Sequence, residues 1–155
     1  MFMKPAIYTI GYEGVTAEAF IAALKEAGVE ALLDIRAVPL SRKPGFSKNK
    51  LAERAGAAGI RYVPMKGLGT PTEGRAAARK GNAGELRRIY EEHLLTQEAV
   101  DDMNRALELV QNTKCCLLCF EHAPGCCHRL IVAERLAEAT GQLVEHLDPV
   151  AASLL

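Results

Sequence analysis

Short apolar runs of strand length alternate along this chain with stretches whose apolar residues recur at helical spacing, and few folds satisfy that alternation. Ala6-Ile7-Tyr8-Thr9-Ile10 is a β-branched run that stops at Gly11, the signature of a buried strand. Thr16 then offers an N-cap, and Val15 with Phe20 offers a hydrophobic staple. Phe20, Ile21, Leu24 and Ala27 share a helical face that Gly28 closes. Glu30 to Ile35 is a second apolar run. Strand, helix and strand within the first 36 residues favour a parallel pair, because parallel neighbours need a crossover long enough to hold a helix.

From Ala37 to Lys50 the pattern breaks at Pro39, Pro44 and Gly45, and Arg42, Lys43, Lys48 and Lys50 charge the segment. A loop of about a dozen residues is expected there. Leu51 to Ala58 predicts a short helix and Ile60 to Val63 a third strand. Gly67 to Gly84 carries five glycines and reads as a second irregular stretch. Asn82 with Glu85 resembles a capping box ahead of Leu86, Ile89, Tyr90 and Leu94. Thr96 caps a further amphipathic helix through Val100, Met103, Leu107 and Val110. Lys114 to Phe120 is a continuous apolar strand, Pro124-Gly125 a turn, Leu130 to Ala137 a helix, and Leu143 to Leu147 a last strand. No repeat, low-complexity tract or linker interrupts residues 1–155. The expectation is one α/β domain, a mostly parallel sheet with helices on both faces in a three-layer Rossmann- or flavodoxin-like arrangement.

Composition narrows the class. Hydrophobic residues make up 49% and charged residues 25%, the balance of an ordinary globular domain and not of a disordered, collagen-like or multi-pass membrane chain. No apolar run approaches the ~18 residues that a membrane helix needs. The first residues lack a signal peptide's apolar core, so the expected location is the cytoplasm, with no membrane partner. Nineteen basic residues balance nineteen acidic ones. No global field therefore draws nucleic acid, which would need a local basic patch. The sequence specifies neither a cofactor nor an oligomeric state.

In a parallel sheet, ligands bind outside the carboxyl ends of the strands, and polar clusters fall at three such ends. Gly11, Tyr12 and Glu13 follow the first strand. Asp34, Arg36, Ser41, Arg42 and Lys43 follow the second. Cys119, Glu121, Cys127, His128 and Arg129 surround the late strand and the next helix start. A helix N-terminus favours an anion and lowers a thiol's pKa. Cys127 and Cys119 are thus candidate nucleophiles, with Glu121 and Asp34 as candidate acids or bases. Arg36, Arg42, Lys43, His128 and Arg129 are candidate anion holders, and Phe46 is a ring to stack on a base.

All five cysteines lie between Cys115 and Cys127, which is not the dispersed spacing of a secreted disulfide scaffold. Burial, a reactive thiol, metal ligation with His122 or His128, and a Cys119–Cys127 disulfide all stay open. Their spacing is looser than the tight pairs metal sites prefer, so no metal ligand is assigned. Gly11 and Gly14 lack the third glycine of a dinucleotide fingerprint.

The ordered set Thr9-Ile10-Gly11-Tyr12-Glu13-Gly14, Asp34-Ile35-Arg36 with Pro39, Ser41-Arg42-Lys43-Pro44-Gly45-Phe46, Gly67-Leu68-Gly69, Leu118-Cys119-Phe120-Glu121 and Cys127-His128-Arg129 resembles the domain-of-unknown-function 488 family (DUF 488). The likeness runs from about Ile7 to Leu147. It implies a small cytosolic α/β protein of bacterial or archaeal type and carries no established activity. Lys66-Gly67-Leu68-Gly69 departs from the family's fuller glycine turn, and Cys115, Cys116 and Cys126 stand outside its pattern.

The leading expectation is a protein that binds an anionic small molecule, such as a nucleotide, nucleoside or phosphate-bearing compound, at the rim of the sheet. Thiol or acid–base chemistry would require Asp34, Arg36, Cys119, Glu121 and Arg129 to border one pocket. The alternatives are a non-catalytic module that binds nucleic acid or nucleotide through the basic loop, and a cysteine-centred metal or redox protein.

Overall fold

A computed structural model describes residues 3–121 and 128–149 of the chain. Among them, strands β1 (Ile7–Gly11), β2 (Ala31–Asp34), β3 (Arg61–Pro64), β4 (Cys115–Cys119) and β5 (Val144–His146) form one sheet in the order β3-β2-β4-β1-β5. Every pairing is parallel, with Gly11 in register with Cys119 and Asp34 with Leu118. The helices are α1 (Ala17–Glu26), α2 (Lys48–Ala57), α3 (Thr72–Arg79), α4 (Ala83–His93), α5 (Gln97–Asn112) and α6 (Arg129–Thr140). The single α/β domain with helices on both faces of a parallel sheet is the architecture expected from the alternating runs.

The continuous apolar strands follow from burial on both faces. Ile10, Leu32, Cys116 and Leu118 pack against Phe20 and Leu24 of α1 and Leu51 and Ala55 of α2. Their neighbours Ile7, Ala31, Leu33, Cys115 and Leu117 point the other way, against Tyr90 of α4, Val110 of α5 and Val132 and Leu136 of α6. Handedness fixes which helix lies where. The steps β1→β2 and β2→β3 move toward the β3 edge, and their helices lie on one face. The steps β3→β4 and β4→β5 move back, so a constant right-handed crossover puts their helices on the other. At the carboxyl end of β4 the connections therefore diverge, since both its neighbours, β1 and β2, send their chains to the α1/α2 face. Such a divergence leaves a crevice.

The local signals for helix starts are realised. Thr16, Asn82 and Thr96 each accept a hydrogen bond from the backbone N–H three residues on, at 3.1, 3.1 and 3.3 Å. Two boundaries differ from expectation. α2 begins at Lys48, inside the segment read as loop. Thr72–Arg79, read as irregular, is the helix α3. Gly74 misleads there: it is buried against Thr70, Ile89 and Leu86, so it serves close packing of α3 on α4 and breaks nothing. Among the described residues no helix is long and apolar enough to cross a membrane.

Candidate functional site

The crevice beyond β4 is a cavity of about 460 Å³. Tyr12 enters it from the end of β1, and Arg36, Ala37, Val38, Leu40 and Ser41 enter from the end of β2. Thr70, Arg75, Ala78 and Arg79 come from the β3 side, and Leu86 from α4. Cys119, Phe120 and Glu121 leave β4 along its wall, and His128 closes it ahead of α6. The volume lies in the range of small-molecule pockets.

Arg36 forms the floor and is almost wholly committed. Its Nε donates to Asp34 Oδ1 at 2.9 Å and its Nη2 to Asp34 Oδ2 at 2.8 Å. Its Nη1 donates to the Phe46 carbonyl at 2.7 Å and to the Tyr12 hydroxyl at 3.3 Å. Four of the guanidinium's five N–H groups are thus spent inside the protein. Burial opposes the charge on Arg36, but the hydrogen bonds and charge of Asp34 outweigh it and hold the guanidinium more firmly protonated than usual. Asp34 also accepts from the Tyr62 hydroxyl. Burial, reinforced by that carboxylate, pushes the Tyr62 phenol up.

Phe46 is fully buried, stacked on Tyr12 at 4.5 Å between ring centroids and edge-on to Phe20. The ring expected to stack on a base is therefore a core residue. Its loop is pinned where Ser41 N–H donates to Ser47 Oγ at 3.0 Å and Ser47 Oγ donates back to the Ser41 carbonyl. Contact with Tyr12 and Phe20 covers the ring's apolar surface, which burial favours over exposure. Arg42 and Lys43 lie on this loop and do not line the cavity.

Asp34 and Arg129 do not meet, contrary to expectation. Asp34 follows the parity of Leu32 and points to the α1/α2 side, whereas Arg129 begins α6 on the opposite face. Both are buried and neither lines the cavity. Arg129 Nη1 donates to the Glu121 carbonyl at 2.6 Å and lies 3.6 Å from Cys119 Sγ. It braces the exit of β4. Gly11 ends β1 beneath this contact, and Glu13 is exposed and outside the cavity.

Of the candidates from sequence, the structure brings Tyr12, Arg36, Ser41, Cys119, Glu121 and His128 together at one cavity. Cys119 is disulfide-bonded, so its sulfur is not a free nucleophile here. Cys115 and Cys116 are free and buried. Burial pushes the Cys115 thiol up to about 12 and the Cys116 thiol well above the usual range, which keeps both unreactive. Cys126, Cys127 and His122 lie outside the described residues. Among the described residues, no group of three His, Cys, Asp or Glu side chains is placed to hold a metal ion.

Glu121 lines the cavity in no ion pair among the described residues. Burial, then the nearby Glu13, raises its pKa. Sequence reasoning misses Arg75 and Arg79, because the glycines between Gly67 and Gly84 make the segment of α3 read as irregular. The signal was present: Arg75 and Arg79 sit four apart around Ala76, Ala77 and Ala78, a run of strong helix formers that places both arginines on one face. Neither is ion-paired with any described carboxylate, and Arg75 makes only a 3.2 Å bond to Thr72 Oγ1.

His128 gives the site a pH signature. Its Nε2–H donates to the Ile35 carbonyl at 2.7 Å, since a carbonyl can only accept. Burial pushes the imidazole down to about 4, helped by Arg129 and His93 and opposed by the Ile35 carbonyl bond and Asp34. The unfolded chain, with a histidine pKa near 6.5, binds this proton first as pH falls. Stability from neutral His128 is thus fully present above about pH 6.5 and is lost down to about pH 4, a loss of about 3 kcal/mol. His128→Gln keeps a donor to Ile35 and does not titrate. Urea unfolding at pH 7 and pH 4 should show the wild type losing about 3 kcal/mol more than this variant. Equal losses would show that His128 does not carry the effect.

A family model described as domain of unknown function DUF488 matches residues 16–136. No curated protein and no solved structure matches the chain.

Proposed function

The chain belongs to the DUF488 family of domains of unknown function, and from that premise we propose that it binds a small anionic molecule in the cavity at the carboxyl ends of its strands. One observation carries this: Arg75 and Arg79, one helical turn apart on α3, both reach the cavity without a carboxylate partner among the described residues. Two uncommitted guanidinium groups on one wall repel each other. An oxyanion that accepts from both relieves that repulsion through charge-assisted, bidentate hydrogen bonds. The role assigned is binding, and no reaction is assigned.

Titration calorimetry with inorganic phosphate and pyrophosphate tests the proposal. The wild type should bind. Arg75→Gln with Arg79→Gln should weaken binding by about 100-fold, since each charge-assisted hydrogen bond contributes about 1.5–3 kcal/mol. Both side chains are at least partly exposed, so the double variant should fold normally. Unchanged affinity in that variant would remove the arginines as the anion site.

A further inference from the structure

Resting on that anion-binding reading, we propose that the ligand is a nucleoside monophosphate, with its phosphate at Arg75 and Arg79, its hydroxyl or amino donors at Glu121 and its base against Phe120. The cavity has two chemically unlike walls. Arg75 and Arg79 come from α3, which follows the edge strand β3, whereas Phe120 and Glu121 leave the central strand β4. A carboxylate accepts hydrogen bonds and donates none. Glu121 therefore disfavours a bare oxyanion beside it and calls for a ligand whose second end carries donors. Its carboxylate accepts from its own backbone N–H and forms no ion pair among the described residues, so acceptor positions remain for a ligand.

The apolar surface is equally specific. Phe120 is 46% exposed, and Val38 and Leu40 are 50% and 71% exposed, all three at this cavity. Phe120 also meets Tyr12 edge-on at 5.4 Å, so the outward face of its ring is held in place. An aromatic face fixed at the mouth of an arginine-lined pocket suits a flat ring attached to an anion. A sugar phosphate would leave that ring uncovered. A single phosphate matches the one pair of guanidinium groups, Arg75 and Arg79, that one turn of α3 presents to the cavity.

The test is titration calorimetry with the four common nucleoside monophosphates, ribose 5-phosphate and inorganic phosphate. At least one nucleoside monophosphate should bind about tenfold or more tightly than ribose 5-phosphate or phosphate, from the stacked base and the bonds to Glu121. Glu121→Gln should weaken that nucleotide about tenfold while leaving inorganic phosphate no weaker. Phe120→Ala should bring the nucleotide down toward ribose 5-phosphate, and Arg79→Gln should weaken every ligand. If phosphate binds but no nucleotide binds more tightly, or if Glu121→Gln leaves the nucleotide unchanged, this inference is overturned and the anion site stands. If neither phosphate nor any nucleotide binds, both fall together.

Discussion

Gly11→Ala will lower the unfolding free energy by more than about 4 kcal/mol, a loss few single substitutions reach. β1 ends at Gly11, in register with Cys119 of β4, and the two exits run on in contact, with Glu13 N–H donating to the Phe120 carbonyl at 2.9 Å. A Cβ at Gly11 would fall inside van der Waals contact of the Glu121 carbonyl oxygen and of Arg129 Nη1, and 2.6 Å from the Glu121 carbonyl carbon. The obstacle is mostly backbone, which cannot swing aside. Moving it breaks the bond between Arg129, which is 0% exposed, and the Glu121 carbonyl, and a buried guanidinium then loses a partner. Gly14→Ala is the control. Gly14 has φ +78° and open space around its Cβ position, so only conformational strain of about 1 kcal/mol is expected. Urea unfolding of both variants measures the difference. Near-equal effects would show that the exits of β1 and β4 give way to the added Cβ, and that Gly11 is not kept for their close approach.

That contrast bears on what can be read from a sequence. Periodicity is a property of neighbouring residues, and it made the strands, most helices and the rim of the sheet legible. The cluster at the end of β4 was legible too, because a polar group after a buried strand has few other places to go. What stayed hidden depends on partners far away in the chain. Phe46 lies among basic residues that suggest a solvated loop, yet Tyr12 and Phe20 bury its ring. Asp34 and Arg129 looked like members of one site, but the strand parity of Asp34 and the crossover that leads to α6 put them on opposite faces. Gly11 read as a strand terminator near a ligand, and its role is steric, against a carbonyl more than a hundred residues on. Arg75 and Arg79 were obscured by glycines that pack helices together.

Asp34→Ala carries the second large effect, about 3–5 kcal/mol of lost stability, because it strands a buried guanidinium. The Arg36 guanidinium would keep the Phe46 carbonyl and Tyr12 hydroxyl and lose two hydrogen bonds and its counter-charge, and the Arg36 backbone N–H would lose a third. Tyr62 would lose its acceptor as well. Arg36→Met leaves the converse fault, a carboxylate that is 1% exposed with only Tyr62 and the Arg36 backbone N–H to bond it. Asp34→Asn combined with Arg36→Met removes both charges while keeping the shape, so the double variant should lose only about 1–2 kcal/mol. The sum of the single losses from Asp34→Asn and Arg36→Met should exceed that of the double, and a double-mutant cycle by urea unfolding measures the excess. Additive losses would mean that the two side chains do not act as a unit. The same variants separate structure from binding. With four of its five N–H groups spent inside the protein, Arg36 gives a ligand little. The double variant should therefore retain most of its affinity for inorganic phosphate, while Arg75→Gln with Arg79→Gln weakens that affinity about 100-fold and leaves stability nearly intact.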